Sequence, residues 1–395
     1  MADASRDALI TGIGIVSCLG EGADMHWQKL QSGEVSANPS TFAPFVVHPI
    51  AALDYEKQVP KKEQRQMEAW QRIGVYAAGL ALDSAGIKGN TDILSRTDMI
   101  VAAGGGERDV TVDSAILTGI EKSPSPDAFL NERLMNDLRP TLFLAQLSNL
   151  LAGNISIVHG VTGSSRTFMG EEASGVDAVR IAVSRIAAGQ SDIALVGGAH
   201  NAERQDLLML YEFGSHALKD QHAPVWERGP KGGFALGSLG AFLVIESRAH
   251  AQKRGAKPVA KIADVLSDRS SRKDGAGKAA LEKMWGKIQP QLKPGYAVIS
   301  GATGSEPATG EERAFLSGLK DVAIRATGTY LGHGLEPQFP MNVALAAIAL
   351  SHGNLFPPRD SSGVEKPATG ELTQAVVTGV GHWRGEGLAL IERAN

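Results

Sequence analysis

One cysteine, Cys18, serves all 395 residues, so an internal disulfide is excluded and a reducing cytoplasm is the expected compartment. No apolar run approaches the roughly 18 to 20 residues that span a bilayer. The opening MADASRDALITGIG lacks a basic stretch followed by a long apolar one, so no signal peptide is expected. The formal charge of −4 is mild, and no basic stripe points to nucleic acid. No His, Cys, Asp or Glu pair shows metal-ligand spacing, so neither a metal nor any other cofactor is expected. A Gly-x-Ser-x-Gly elbow is missing too, which argues against a serine hydrolase. The Gly12-x-Gly14 that follows Ala8-Leu9-Ile10 lacks a third glycine and a helix, because IVSCLGEG reads as loop; a dinucleotide site is not expected. Cys18 falls in that loop with no histidine or elbow beside it, and reads as a small packed residue.

What is present is 43% hydrophobic residues and 46 glycines, enough for a large core in two α/β halves. Short apolar strands, glycine turns and helices alternate along the chain. The most ordered pattern runs from Gly160 to Asn201: a strand, a tight turn, a helix and a second strand. Val176, Val179, Val183 and Ile186 are spaced three, four and three, which is one helical face. Gly189 sits where a left-handed cap belongs, and Ile193 to Val196 is an apolar run ahead of Gly197-Gly198. A sharp strand-to-helix turn puts one side chain against the unpaired N–H groups of the helix N-terminus. Here the turn carries Glu171-Glu172-Ala173-Ser174.

This stretch resembles the active-site elbow of the elongating β-ketoacyl-[acyl carrier protein] synthases, whose reactive cysteine lies in Thr-Ala-Cys-x-Ser-Gly. Anchored on Gly160, Gly163, Ser174-Gly175 and Gly197-Gly198, the cysteine position falls on Glu172. The resemblance extends over nearly the whole chain. Ala223-Pro224-Val225-Trp226, Gly233-Phe234-Ala235-Leu236-Gly237 and Arg254-Gly255-Ala256-Lys257 resemble family segments, with Ser238 in place of a family glutamate. The implied architecture is α/β, a thiolase fold with a duplicated five-layer αβαβα arrangement. Its N-terminal half would cover residues 1–250, with a cap insertion at about 107–140, and its C-terminal half residues 251–395. Thr141 to Leu151 reads as a helix ahead of the elbow.

Condensation in this family uses a thiolate, two histidines and a lysine. In Val298 to Pro307 the first histidine position falls on Ala302. In Gly328-Thr329-Tyr330-Leu331-Gly332-His333 the lysine position is Gly328, and the second histidine survives as His333. The family's gating loop becomes Gly381-His382-Trp383-Arg384-Gly385-Glu386-Gly387. Lys62 and Arg65, in a segment read as opening the helix that carries Met67, Trp70, Ile73, Ala77 and Leu80, match basic residues that dock acyl carrier protein. Strand residues Ser165 to Phe168 match the place where the family's two subunits meet.

The resemblance therefore implies a non-condensing subunit, a homodimer or a heterodimer with a complete ketosynthase, working with acyl carrier protein in fatty-acid or polyketide elongation. A carboxylate at position 172, held anionic by the helix N-terminus, also opposes decarboxylation. A charge about 5 Å from a developing enolate costs about 3 kcal/mol at an effective dielectric near 20. Two other readings stay open. One is an acyltransferase, hydrolase or decarboxylase using Glu172 or His333; the other is a binding protein for acyl carrier protein or a lipid chain.

Overall fold

The computed structural model describes residues 3–139, 142, 146–271 and 273–394. The strands, in chain order, are β1 (Ala8–Ser17), β2 (Gly20–Glu21), β3 (Val47–His48), β4 (Asp98–Ala102), β5 (Ser165–Phe168), β6 (Ile193–His200), β7 (Leu236–Gly237), β8 (Leu239–Ser247), β9 (Ala260–Asp268), β10 (Tyr296–Ser300), β11 (Ala323–Ala326), β12 (Gln374–Val380) and β13 (Glu386–Arg393). Two five-strand sets carry the fold, in the orders β5-β4-β6-β8-β1 and β11-β10-β12-β13-β9. Counted by appearance within its own set, each order is 3-2-4-5-1. The pairings repeat as well: parallel for the first three strands of each order, antiparallel for the rest. A short antiparallel contact, Ala8–Ile10 against Ala260–Ile262, joins the sets.

Helices Glu172–Ala187 and Gln338–His352 pack on each other and on both sets, forming the middle layer. Their shared core joins Val176, Val179 and Ile186 to Ala344, Ile348, Ile10, Ile15 and Val377. One outer layer is built from helices Ala69–Ser84 and Leu150–His159, whose Trp70, Ile73 and Leu151 cover Val16, Val101 and Val244. The other is built from Ala276–Ile288 and Ala308–Leu316, with Leu281, Met284 and Phe315 over Val298, Val376 and Leu388. Gln338–His352, buried along nearly its whole length, is apolar around most of its girth, whereas Glu172–Ala187 keeps a polar edge at Asp177, Arg180 and Ser184.

Several sequence expectations shift at their edges. Gly12 and Gly14 make no turn: β1 runs on through Ser17, with a register shift between Ile10 and Gly12. A Cβ at Gly14 would fall 2.0 Å from the carbonyl oxygen of Ala77, and one at Gly12 2.4 Å from that of Ala81. These glycines let the strand pass directly under helix Ala69–Ser84. Cys18 is buried, and burial pushes its thiol up to about 12, away from reactivity. The single helix expected from Lys61 is two, Lys61–Gln64 and Ala69–Ser84. Glu68 restarts the backbone with a capping box: its side chain accepts from the N3 amide, and its backbone N–H donates to Gln71 Oε1 at 3.0 Å. Of the helix expected over Thr141 to Leu151, residues 141 and 143–145 lie outside the described residues; a helix runs from Leu150 to His159.

One buried charge fixes the connection beyond β8. Glu246 accepts from Arg254 (Nε, 2.8 Å), from His250 (Nδ1, 2.6 Å) and from Thr11. Burial alone would raise its pKa, but Arg254, His250 and Thr11 hold it at about 2. Arg254 also donates to the Ala85 carbonyl at 2.9 Å. Arg254→Ala strands that carboxylate without its cation and is expected to cost about 3–5 kcal/mol in urea unfolding. A loss under about 1 kcal/mol would show that His250 and Thr11 suffice.

Candidate functional site

The site begins at the elbow between β5 and helix Glu172–Ala187. Gly170 has φ 130°, and Glu171 is held at φ 58°, ψ −138°, a conformation that disfavours a residue with a Cβ. The turn is locked from inside: both the backbone N–H and the hydroxyl of Ser174 donate to the Glu171 carbonyl, at 3.1 and 2.7 Å. Glu172 is thereby the first helical residue, in the first turn where the dipole favours a carboxylate. Gly175, one turn on, lets the opposite half approach. A Cβ there would lie 2.3 Å from the Glu336 carbonyl oxygen, so this close contact brings the His333–Glu336 loop over the elbow.

Glu172 is 4% exposed, His333 2% and His382 6%. Glu172 Oε1 accepts from His333 Nε2 at 2.7 Å, from His382 Nδ1 at 2.9 Å and from the His382 backbone N–H at 3.2 Å. Burial would raise the carboxyl's pKa, yet His382 and His333 hold it well below the usual carboxylate range. Burial pushes His333 down, against the pull of Glu172, so its imidazole is neutral. These contacts assign Nε2–H to His333 and Nδ1–H to His382. The ring of His382 is also fixed by edge contacts to Tyr211, His216 and Phe234.

Glu172 and His333 are thus in contact, while Ala302 and Gly328 neighbour each other. Ala302 is buried just after β10, and a Cβ on Gly328 would lie 3.1 Å from the Ala302 carbonyl oxygen. Beside them is Arg228, a residue without a pattern in the sequence. Its guanidinium donates to the carbonyls of Ala223, Gly233, Thr303 and Gly328, and burial pushes its pKa down to about 9. A cation therefore lies close to Gly328. His382, read as part of a gate, is a direct partner of Glu172. One donor atom from each of Glu172, His333 and His382 lies within 4.8 Å of the other two, a grouping that the sequence reading, which looked for ligand spacing along the chain, did not find. Its members are separated by 161 and 210 residues, so no local spacing could reveal it.

Gly381 N–H donates to the Gly385 carbonyl at 2.9 Å, closing the loop that carries His382. Trp383 is 64% exposed at its tip. Arg384 reaches one cavity of about 360 Å³, which Glu171, His200, Arg204 and Glu336 also line. His382 and Trp383 face another, of about 440 Å³, opposite His216 and Pro307. Burial pushes Glu336 up to about 7 and His200 down to about 3. Lys62 and Arg65 are exposed on and just after the short helix Lys61–Gln64, away from the long helix expected to carry them.

Two sheets of equal strand order clasping a central helix pair, with an elbow residue facing a histidine loop from the other half, define a thiolase-fold ketosynthase scaffold. The family described as "Beta-ketoacyl synthase, N-terminal domain" matches residues 5–251, and the chain belongs to it. The chain is 25% identical over 399 residues to "3-oxoacyl-[acyl-carrier-protein] synthase 2" of Vibrio cholerae, covering 91% of each. It is also 25% identical over 393 residues to "Tetracenomycin polyketide synthase ketoacyl synthase beta subunit" of Streptomyces glaucescens, covering 93% of this chain and 91% of that one. Among solved structures, "The ishigamide ketosynthase/chain length factor" superposes with a TM-score of 0.80 at 17% identity, over 99% of this chain and 100% of that one. No helix among the described residues is long and apolar enough to cross a membrane.

Proposed function

We propose that this chain is a non-condensing subunit of a fatty-acid or polyketide ketosynthase, pairing with a complete synthase in the cytoplasm and working with its acyl carrier protein. The observation that carries the reading is the 2.7 Å contact between Glu172 and His333. An anionic carboxylate stands where a sulfur nucleophile is required. It also consumes the Nε2–H that would otherwise point at a thioester oxygen. The surviving histidine is silenced by the residue that replaced its partner. Ala302 and Gly328 offer neither a second donor nor a cation from their own side chains. The cavity beyond Glu171 supports the same conclusion, since an alkyl chain filling it would bury Glu171, Glu336 and Arg204 against hydrocarbon.

The surface supports pairing. β5 ends its sheet with Ser165 and Arg166 exposed, an edge whose backbone groups suit addition of a second copy or a relative. Met169, directly after β5, and Met209, Leu210 and Phe213 of helix Gln205–Phe213 are exposed by 54–83%, and Met169 and Leu210 border one cavity. Cap helices Val110–Ile120 and Pro126–Asn136 bury only Ile116 while exposing Leu117 and Met135. Apolar groups left out in this way mark a surface that a partner covers. Lys62 and Arg65 are the proposed contacts for the acidic carrier.

The test is co-expression with a complete ketosynthase and an acyl carrier protein from the same genome. A stable complex is expected to co-purify and to alter product chain length relative to the synthase alone. A chain that stays unpartnered and leaves the products unchanged would remove this reading.

A further inference from the structure

The three side chains that silence each other also have the composition of a metal site. A Glu172 carboxylate oxygen, a His333 ring nitrogen and a His382 ring nitrogen all lie within 4.8 Å of one another, and all three residues are buried. We propose that Glu172, His333 and His382 bind a zinc ion, leaving its fourth coordination position open to the cavity lined by His216, Pro307 and Trp383. The inference concerns this chain alone and does not depend on whether it pairs with a synthase.

Four features of the site support it. The first is the donor set. Two imidazoles and one carboxylate suit a borderline divalent ion, and three protein ligands with one open position is a recurring zinc arrangement. The second is spacing. Zinc bonds of about 2.0–2.1 Å place tetrahedral donors about 3.3 Å apart. The present nitrogen–oxygen separations of 2.7 and 2.9 Å need to open by only about half an ångström. For an imidazole holding a single proton, binding moves that proton to the far nitrogen of the same ring, leaving a neutral ligand.

The third is the outer shell. The far nitrogen of His382, Nε2, is 3.9 Å from Glu171 Oε1, so the proton arriving there would face a carboxylate, as metal-bound histidines commonly do. The fourth is charge. Glu171 and Glu172 each keep one buried carboxyl oxygen without a hydrogen-bond partner, and the Glu336 carboxyl is buried nearby. A divalent cation would meet the Glu172 carboxylate and place positive charge beside these donor-less carboxyl oxygens. Access is provided by the cavity of about 440 Å³, which reaches His382 from outside.

Chelator-stripped protein titrated with zinc chloride, followed by calorimetry and metal analysis, tests the site. One equivalent per chain is expected, together with a rise in melting temperature as zinc is added. Cobalt(II) should give the visible bands of a tetrahedral complex, and zinc should abolish them. His333→Ala and His382→Ala are each expected to weaken binding by at least the roughly 100-fold that outer-shell changes can reach. His352→Ala, an exposed histidine at the end of its helix, should bind as the parent does. Glu172→Gln retains the shape of the side chain, so a folded Glu172→Gln protein that loses affinity separates ligation from misfolding. Substoichiometric binding by the parent overturns the proposal. So does an affinity that survives in the folded His333→Ala/His382→Ala double variant. Either failure leaves the co-purification test untouched.

Discussion

Incubated with an acyl thioester of acyl carrier protein and a malonyl thioester, the purified chain is expected to keep its mass and release no ketoacyl product. The Glu172 carboxylate stands at the head of the helix, and both buried histidines donate to it. Attack on a thioester by so stabilised an anion has little driving force. Glu172→Cys separates the two halves of this prediction. A thiol there sits at a helix N-terminus, where the thiolate is favoured, and the Nε2–H of His333 becomes available. The variant is expected to take up an acyl group visible as a mass shift. Product formation should still trail a complete ketosynthase by at least about 10²-fold, because Ala302 provides no donor to the developing oxyanion. Adding Gly328→Lys does not simply close the gap, since a Cβ at 328 meets both Ala302 O and Val225 Cγ2 at 3.1 Å. An acyl adduct on the parent chain, or condensation by it, would overturn the inertness argued for the site.

Steep loss of stability below neutral pH is the second large expected effect. Burial pushes His26 and His159 down to about 4 and His200 down to about 3. Their neutral rings are built into the packing. His26 bonds Ser17 Oγ at 2.8 Å and the Gly22 carbonyl at 2.7 Å, and His159 donates to the Val75 carbonyl at 2.8 Å. A histidine whose folded pKa lies below its unfolded value near 6.5 contributes fully above that value and loses the contribution as pH falls to the folded pKa. Glu336 acts in the opposite sense: raised to about 7, it stays protonated when folded while the unfolded chain ionises. Three histidines against one carboxyl leave about two protons taken up on unfolding near pH 5.5, or about 3 kcal/mol per pH unit. His48, His216, His222 and His333 are lowered too and steepen the slope, whereas the raised Glu107, Glu171, Glu312 and Glu365 moderate it. Urea midpoints measured between pH 7.5 and 5 should fall steadily. Midpoints that hold level or rise on acidification would mean that these histidines are protonated in the native state.

Much of the scaffold is legible in the chain. The three-four-three spacing at Val176, Val179, Val183 and Ile186 yields the central helix, because a helix packed between sheets must repeat apolar side chains at its own period. Gly189 has φ 69°, and the amide of the following Gln190 reaches back to the Arg185 carbonyl, as a left-handed helix end requires. Gly12 and Gly14 show where such reading fails. A glycine needed for a turn and a glycine needed because another backbone passes within van der Waals range look alike in sequence. Only the position of helix Ala69–Ser84 distinguishes them. The repeated strand order is equally hidden, since a repeated topology can persist with no residue-by-residue match between its halves.

By itself the sequence determined which residue types stand at the four positions that the resemblance matches to the family's reactive groups: a carboxylate at 172, methyl and hydrogen at 302 and 328, an imidazole at 333. Those identities are fixed in the covalent chain, and no folding changes them. Tertiary structure alone decided that the carboxylate is shared by two imidazoles, one of them from the loop read as a gate. Hydrogen-bond and metal-ligand distances are set by how the two halves pack over Gly175, and residues so far apart in the chain carry no local signal of that approach.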